Sequence, residues 1–256
     1  MRVISIANFK GGTGKTVTAC NMAAILADSG RKVLLIDADP QHNASDFFGA
    51  EPDSFTLCDV LQGYGETYWH DNVQPTGREG LELLPGDMNL LQLDLAALVS
   101  SVSKAPQRLR DFLDSAERDG AYDYVIIDCP PSFTAASVAA LSASDCVIIP
   151  TRVDAFSRAG VEELLGQLRG LGQISRSVRF RVLITMADRT NLSRQGAELL
   201  RGSGVRVFDT EIRSAVAVGE STYARQPLCD YAPRSTAAKD YAGLVREFLE
   251  EVARYG

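Results

Sequence analysis

Residues 10–16 read Lys-Gly-Gly-Thr-Gly-Lys-Thr. The apolar stretch "RVISIAN" (2–8) precedes them and a helical pattern follows. That is the setting of a phosphate-binding loop. Gly11, Gly12 and Gly14 let the backbone curl and approach oxygen atoms closely. Successive N–H groups and the N-terminus of the following helix then face the phosphates. Lys15 is placed to reach the β- and γ-phosphates, and the Thr16 hydroxyl to ligate Mg²⁺. Lys10 is a second cation that such a loop does not require, and Phe9 stands where the usual pattern has its first glycine. Three acids complete the set. Asp128 ends "YVIID" (124–128), where phosphate-loop NTPases usually carry a second group on the Mg²⁺ side. Asp37 ends the apolar run at 32–37 and Asp39 follows two residues later. One of them is suited to hold a metal-bound water and the other to orient an attacking water. A lone strand-end Asp ordinarily caps the next turn or helix. Three at one sheet edge, where ligands bind in open α/β sheets, read as chemistry.

These groups need a scaffold that brings strand ends together. Apolar runs at 2–8, 32–37, 81–85, 124–128, 146–150, 180–186 and 205–209 are rich in Val, Ile and Leu and lack polar alternation. That pattern predicts strands buried on both faces of a parallel sheet. Helical periods fall at 15–29, 90–100, 105–118, 133–142, 158–172, 192–202 and 237–254. Alternation of the two predicts an α/β fold: a doubly wound, mostly parallel central sheet flanked by helices. The segment 63–80 is expected to be an irregular excursion. With no repeat or linker, residues 1–256 are expected to form a single domain.

The 256 residues are 45% hydrophobic, enough for a sizeable core, and carry a formal charge of −7. An acidic chain is a poor candidate for a dedicated nucleic-acid binder, a local basic patch aside. Five dispersed cysteines without C-x-x-C spacing, and two histidines, argue against a zinc or iron–sulfur site and suit a reducing cytoplasm. No stretch approaches the ~18 apolar residues of a membrane span, and the acidic "EFLEE" of the last helix is unlike a membrane-surface helix.

With "KGGTGKT" (10–16), "DADPQ" (37–41), "DCPPS" (128–132), "TMADRTNLS" (185–193) and "YAPRSTAAKDYAGL" (231–244), the chain resembles the ParA/MinD family of deviant Walker A ATPases, and within it the small Soj-type ParA partition proteins. The resemblance covers essentially the whole length and implies that residues 1–256 are a single phosphate-loop ATPase domain with no separate N-terminal DNA-binding domain. It implies that Lys10, Gly11, Gly12, Thr13, Gly14, Lys15, Thr16 and Val17 hold ATP, with Met186, Ile212 and Arg213 beside the base. It also implies that Thr16, Asp37 and Asp128 serve the Mg²⁺. Lys10 matches the signature lysine that enters the partner's site in an ATP-bound homodimer, Lys15 the phosphate lysine, and Asp39 the residue that positions the hydrolytic water; these three are the expected catalytic groups. The implied cycle is slow ATP hydrolysis stimulated by a ParB-like activator, on non-specific nucleoid DNA, in the cytoplasm and without membrane binding. The alternatives are ParA-like positioning of a protein cargo and MinD-like membrane cycling. Arg213, Arg225, Arg234 and Lys239 are the candidate DNA contacts. Two departures stand out: His42 follows "DPQ" where glycine is usual, and Ala217 falls where relatives often carry arginine.

Overall fold

The computed structural model describes residues 1–51, 54–64, 69–99, 104–153 and 178–255, together with 166, 169 and 170. Its seven strands are β1 (Arg2–Ile6), β2 (Val33–Asp37), β3 (Gln74–Pro75), β4 (Leu81–Leu84), β5 (Tyr124–Asp128), β6 (Cys146–Arg152) and β7 (Arg179–Thr185). They form one sheet in the order β3-β4-β2-β5-β1-β6-β7, parallel throughout except for β3, which runs antiparallel to β4 at the edge. The doubly wound, mostly parallel expectation holds. Burial explains it: every residue of β2 and β5 is buried, because helices cover both faces.

Successive side chains of β2 point to opposite faces. Leu34 and Ile36 enter one apolar cluster, with Leu109, Phe112 and Ala139. Val33 and Leu35 enter the other, with Met22, Leu26, Tyr241 and Phe248. The first cluster draws on helices α3 (Leu57–Gln62), α5 (Ala105–Arg118) and α6 (Ala135–Ala143). The second draws on α1 (Lys15–Asp28), α2 (Asn43–Phe47) and the C-terminal helix Thr236–Tyr255. The remaining helices are α4 (Leu90–Val99), α7 (Asn191–Gly202), α8 (Val216–Tyr223) and α9 (Leu228–Tyr231), which makes Thr236–Tyr255 α10.

Helix α1 carries Lys15 and Thr16, and polar ties hold it in place. The Thr18 hydroxyl meets the Tyr241 hydroxyl at 3.2 Å, and the Asn21 side chain accepts the Leu228 N–H at 2.8 Å. At its far end Arg78 pairs with both Asp28 and Asp230.

Two sequence expectations change. Residues 205–209 are not a ladder strand but a single parallel bridge, Val182 with Val207. The Glu247 carboxylate of α10 accepts the main-chain N–H groups of Asp209 and Thr210 at 2.8 and 2.9 Å, so the Thr210 N–H, the next that a ladder with β7 would use, is taken. The excursion 63–80 contains a 3₁₀ turn at Trp69–Asp71 and the edge strand β3, whose Pro75 suits an edge position. The helix expected over 158–172 lies outside the described residues apart from 166, 169 and 170. Among the described residues no helix is long and apolar enough to cross a membrane.

Candidate functional site

Parallel register assembles the site. Ile6 of β1 pairs with Asp128 of β5, and Asp128 pairs with Asp37 of β2. The loop after β1 therefore leaves the sheet beside two carboxylates on neighbouring strands. Its first residues are pinned: Asn8 Nδ2 donates to Pro150 O at 2.7 Å, and Lys10 N donates to Asn8 Oδ1 at 2.9 Å. The Lys10 carbonyl accepts from Lys15 Nζ at 3.4 Å and from the Thr13 hydroxyl at 3.5 Å. From β7, the Thr185 hydroxyl donates to Thr13 O at 2.9 Å. Gly12 and Gly14 have φ of +69° and +87°, a region that costs glycine nothing. Gly14 is the N-cap of α1 and supplies no side-chain cap, so the first-turn N–H groups remain available to an anion.

The main chain of Lys10 is thus fixed from several sides. Its side chain is exposed and makes no ion pair or hydrogen bond among the described residues. Lys15 is the opposite: buried, with burial lowering its pKa against the opposing pull of Asp128 and Asp39.

The two rung-paired aspartates differ in kind. Asp37 Oδ1 accepts from Asp39 N at 3.1 Å, and Oδ2 accepts from both the N–H and the hydroxyl of Ser45 at 2.8 Å. Most of its acceptor capacity is therefore spent on shaping the loop that follows. Burial raises its pKa to about 6, with these hydrogen bonds opposing the rise. Asp128 is equally buried, yet neither carboxylate oxygen has a hydrogen-bond partner. Burial first, then the charge of Asp37, pushes its pKa well above the carboxylate range, while the Thr16 hydroxyl and Lys15 pull the other way. A buried carboxylate without partners is costly alone and suits a cation. With the Thr16 hydroxyl alongside, the donor set is all oxygen, which fits Mg²⁺. Asp39 is 8% exposed, and its Oδ1 accepts the Gln41 N–H at 3.0 Å.

An AAA-domain family model matches residues 1–179. The chromosome partitioning protein ParA of Caulobacter vibrioides is 36% identical over 255 residues, spanning 97% of this chain and 94% of its own. The chain belongs to the ParA family of ATPases. The sporulation initiation inhibitor protein Soj of Bacillus subtilis is 35% identical over 252 residues, covering 96% and 97% of the two chains. Among solved structures, apo McdA of Cyanothece superposes with a TM-score of 0.82 at 25% identity over 97% of this chain and 99% of that one. The cobyrinic acid a,c-diamide synthase of Mycobacterium smegmatis, solved with an ATP analogue and magnesium, gives 0.81 at 28% identity over 97% and 94%.

Within this ParA-family frame, the other expected residues separate. Met186 follows β7 at the Thr185–Thr13 tie, 39% exposed and with φ +52°, an unusual backbone for a non-glycine residue. Ile212, by contrast, is a core side chain, 3% exposed, and only its main chain reaches the end of β7, bonding Ile184 and Ala187. Arg213 donates from its N–H, Nε and Nη2 to Asp240, which commits its guanidinium to α10. Arg225, exposed and with φ +55°, lines a cavity of about 230 Å³ with Thr16, Val17, Asn43 and Asp46. Arg234 and Lys239 are exposed. Arg225, Arg234 and Lys239 have no ion-pair partner among the described residues.

The His42 departure has a backbone reason for glycine's usual place there: φ is +44° at the N-cap of α2. Histidine takes this conformation more readily than most side chains, and its Nδ1 sits 3.3 Å from Asp46 Oδ1.

One contributor is not evident in the sequence. Gly86, after β4, donates its N–H to Ser45 Oγ at 3.0 Å. A Cβ there would lie 2.6 Å from Asp37 O and 3.2 Å from Asp39 O. The only signal is a glycine just past a strand, "LLPGD". Gly86→Ala is expected to push the Asp37–Asp39 turn aside. Stability should fall by about 1–3 kcal/mol in thermal melts, and ATP turnover should fall at least about tenfold, which takes only ~1.4 kcal/mol of misplacement.

Proposed function

We propose that this chain is an ATP-driven partition switch, slow on its own and accelerated by a ParB-like activator. The observation that carries the reading is Lys10: a main chain held by Asn8, Thr13 and Lys15, and a charged side chain left free at the rim of the site. A cation so presented is available to a second protomer.

The residues divide the work as follows. First-turn N–H groups of α1 and Lys15 bind the phosphates and neutralise them. Thr16 and Asp128 would hold Mg²⁺, with Asp37 contributing charge behind them. When bound, Mg²⁺ supplies charge neutralisation across the β- and γ-phosphates. Asp39 orients the attacking water, kept in place by Asp37 and Gln41. Met186 lies beside the base; Ile212 and Arg213 contribute through main chain and through Asp240 rather than by open side-chain contact. Lys10 acts in the partner's site of a homodimer formed with ATP. Loss of the γ-phosphate removes the contact that Lys10 makes, so the dimer loosens.

DNA contact is assigned to Arg225, Arg234 and Lys239, exposed cations of the C-terminal segment that have no ion-pair partner among the described residues. That the Caulobacter vibrioides relative is a chromosome partitioning protein supports a role on DNA, though not these residues in particular. The chain's net charge of −7 requires such contact to be local. A titration of duplex DNA at fixed salt, with ATP, ADP or no nucleotide, tests it. Binding is expected with ATP alone, independent of sequence and falling steeply with salt. Absence of binding in all three states would contradict the nucleoid role and favour a protein cargo.

A further inference from the structure

Phe9 stands where the usual phosphate loop has its first glycine. Its ring stacks on that of Phe133, with centroids 4.6 Å apart and planes 20° from parallel. The two residues sit on loops that leave adjacent strands at one rung, Ile6 with Asp128, where Cys129 N also donates to Ile6 O at 3.1 Å. Phe133 follows Asp128 by five positions, past Pro130 and Pro131. It immediately precedes Thr134, whose side chain and main chain exchange hydrogen bonds with Ser137 to cap α6. The chain just after Phe133 is therefore fixed by the cap of α6.

Yet 55% of Phe133 remains exposed. A ring placed for core burial alone would be covered. This contact instead joins two loops: the one that starts the phosphate cradle and the one that leaves Asp128. On the Phe9 side, the next residue is Lys10, whose carbonyl receives Lys15 Nζ and the Thr13 hydroxyl.

We infer that the Phe9–Phe133 stack clasps the phosphate loop to the segment after Asp128, which makes Phe133 a positioning residue that acts through Phe9 on Lys10. Glycine at position 9 gives a loop no such handle. The catalytic consequence rests on the ATPase reading above; the clasp itself does not require nucleotide.

The test therefore has two arms. Without nucleotide, amide hydrogen exchange at residues 10–12 is expected to speed up in Phe133→Ala and to return towards wild type in Phe133→Tyr, which keeps a stacking ring. With ATP, turnover by Phe133→Ala is expected to fall roughly three- to tenfold, the scale of one aromatic pair, with nucleotide affinity changed less than about twofold. Phe9→Ala combined with Phe133→Ala should cost no more than either alone, because the residues act as one unit. Unchanged exchange in Phe133→Ala would overturn the clasp. Additive losses in turnover, or no loss, would overturn its positioning role. Wild-type protein without turnover would contradict the ATPase reading and that role with it, while the exchange arm would still judge the clasp.

Discussion

Lys10→Ala is expected to abolish ATP-dependent dimerisation while ATP binding to the single protomer changes by less than about threefold, under ~0.7 kcal/mol. The asymmetry follows from what Lys10 does within its own chain. Its contributions to the phosphate loop come from the main chain: the N–H to Asn8 and the carbonyl that receives Lys15 and Thr13. Alanine keeps all of them. Only the exposed ammonium is lost, and it has no partner among the described residues of its own chain. Light scattering of the variant with ATP and Mg²⁺ should report a monomer. Lys15→Ala should behave differently. That lysine is buried beside Asp128 and Asp39, so its removal weakens nucleotide binding itself and leaves an acidic pocket uncompensated.

Asp39→Ala is expected to bind ATP and dimerise but to hydrolyse at least about 100-fold more slowly, the usual scale for removing a group that handles the attacking water. Asp39 is the acid of the three whose carboxylate has capacity left for this. Asp37 already accepts three hydrogen bonds, from the Ser45 N–H and hydroxyl and from the Asp39 N–H. Asp128 lies deeper, with both oxygens unpartnered and suited to a cation. The main-chain bond from Asp39 N to Asp37 survives the substitution, so the turn should keep its shape, and the Gln41 N–H loses its partner at the surface. Single-turnover hydrolysis, with nucleotide binding measured in parallel, separates the two effects. Turnover at the wild-type rate would remove Asp39 from the mechanism.

Much of this site was legible because its parts are local in sequence. The strand at 124–128 and the helix at 105–118 match the expected bounds, since continuous apolar burial and a single amphipathic period define them. The loop at 10–16 and the strand-end acids are likewise short-range patterns. What the sequence could not reveal depends on distant partners. Residues 205–209 carry a strand's composition, but Glu247 of α10 accepts the Thr210 N–H that would extend the bridge. Gly86 matters through Asp37 and Asp39 on another strand's loop. Ile212 resembles a rim residue by position and is core by packing. The different duties of Asp37 and Asp128 also become visible only when their hydrogen-bond partners can be counted.

The central claim is that nucleotide state sets oligomeric state. Sedimentation of the unmodified protein with Mg²⁺ and either ATP or ADP tests it most directly. The account predicts a dimer, twice the 27.7 kDa chain mass, with ATP and a monomer with ADP. The same mass under both nucleotides would contradict it.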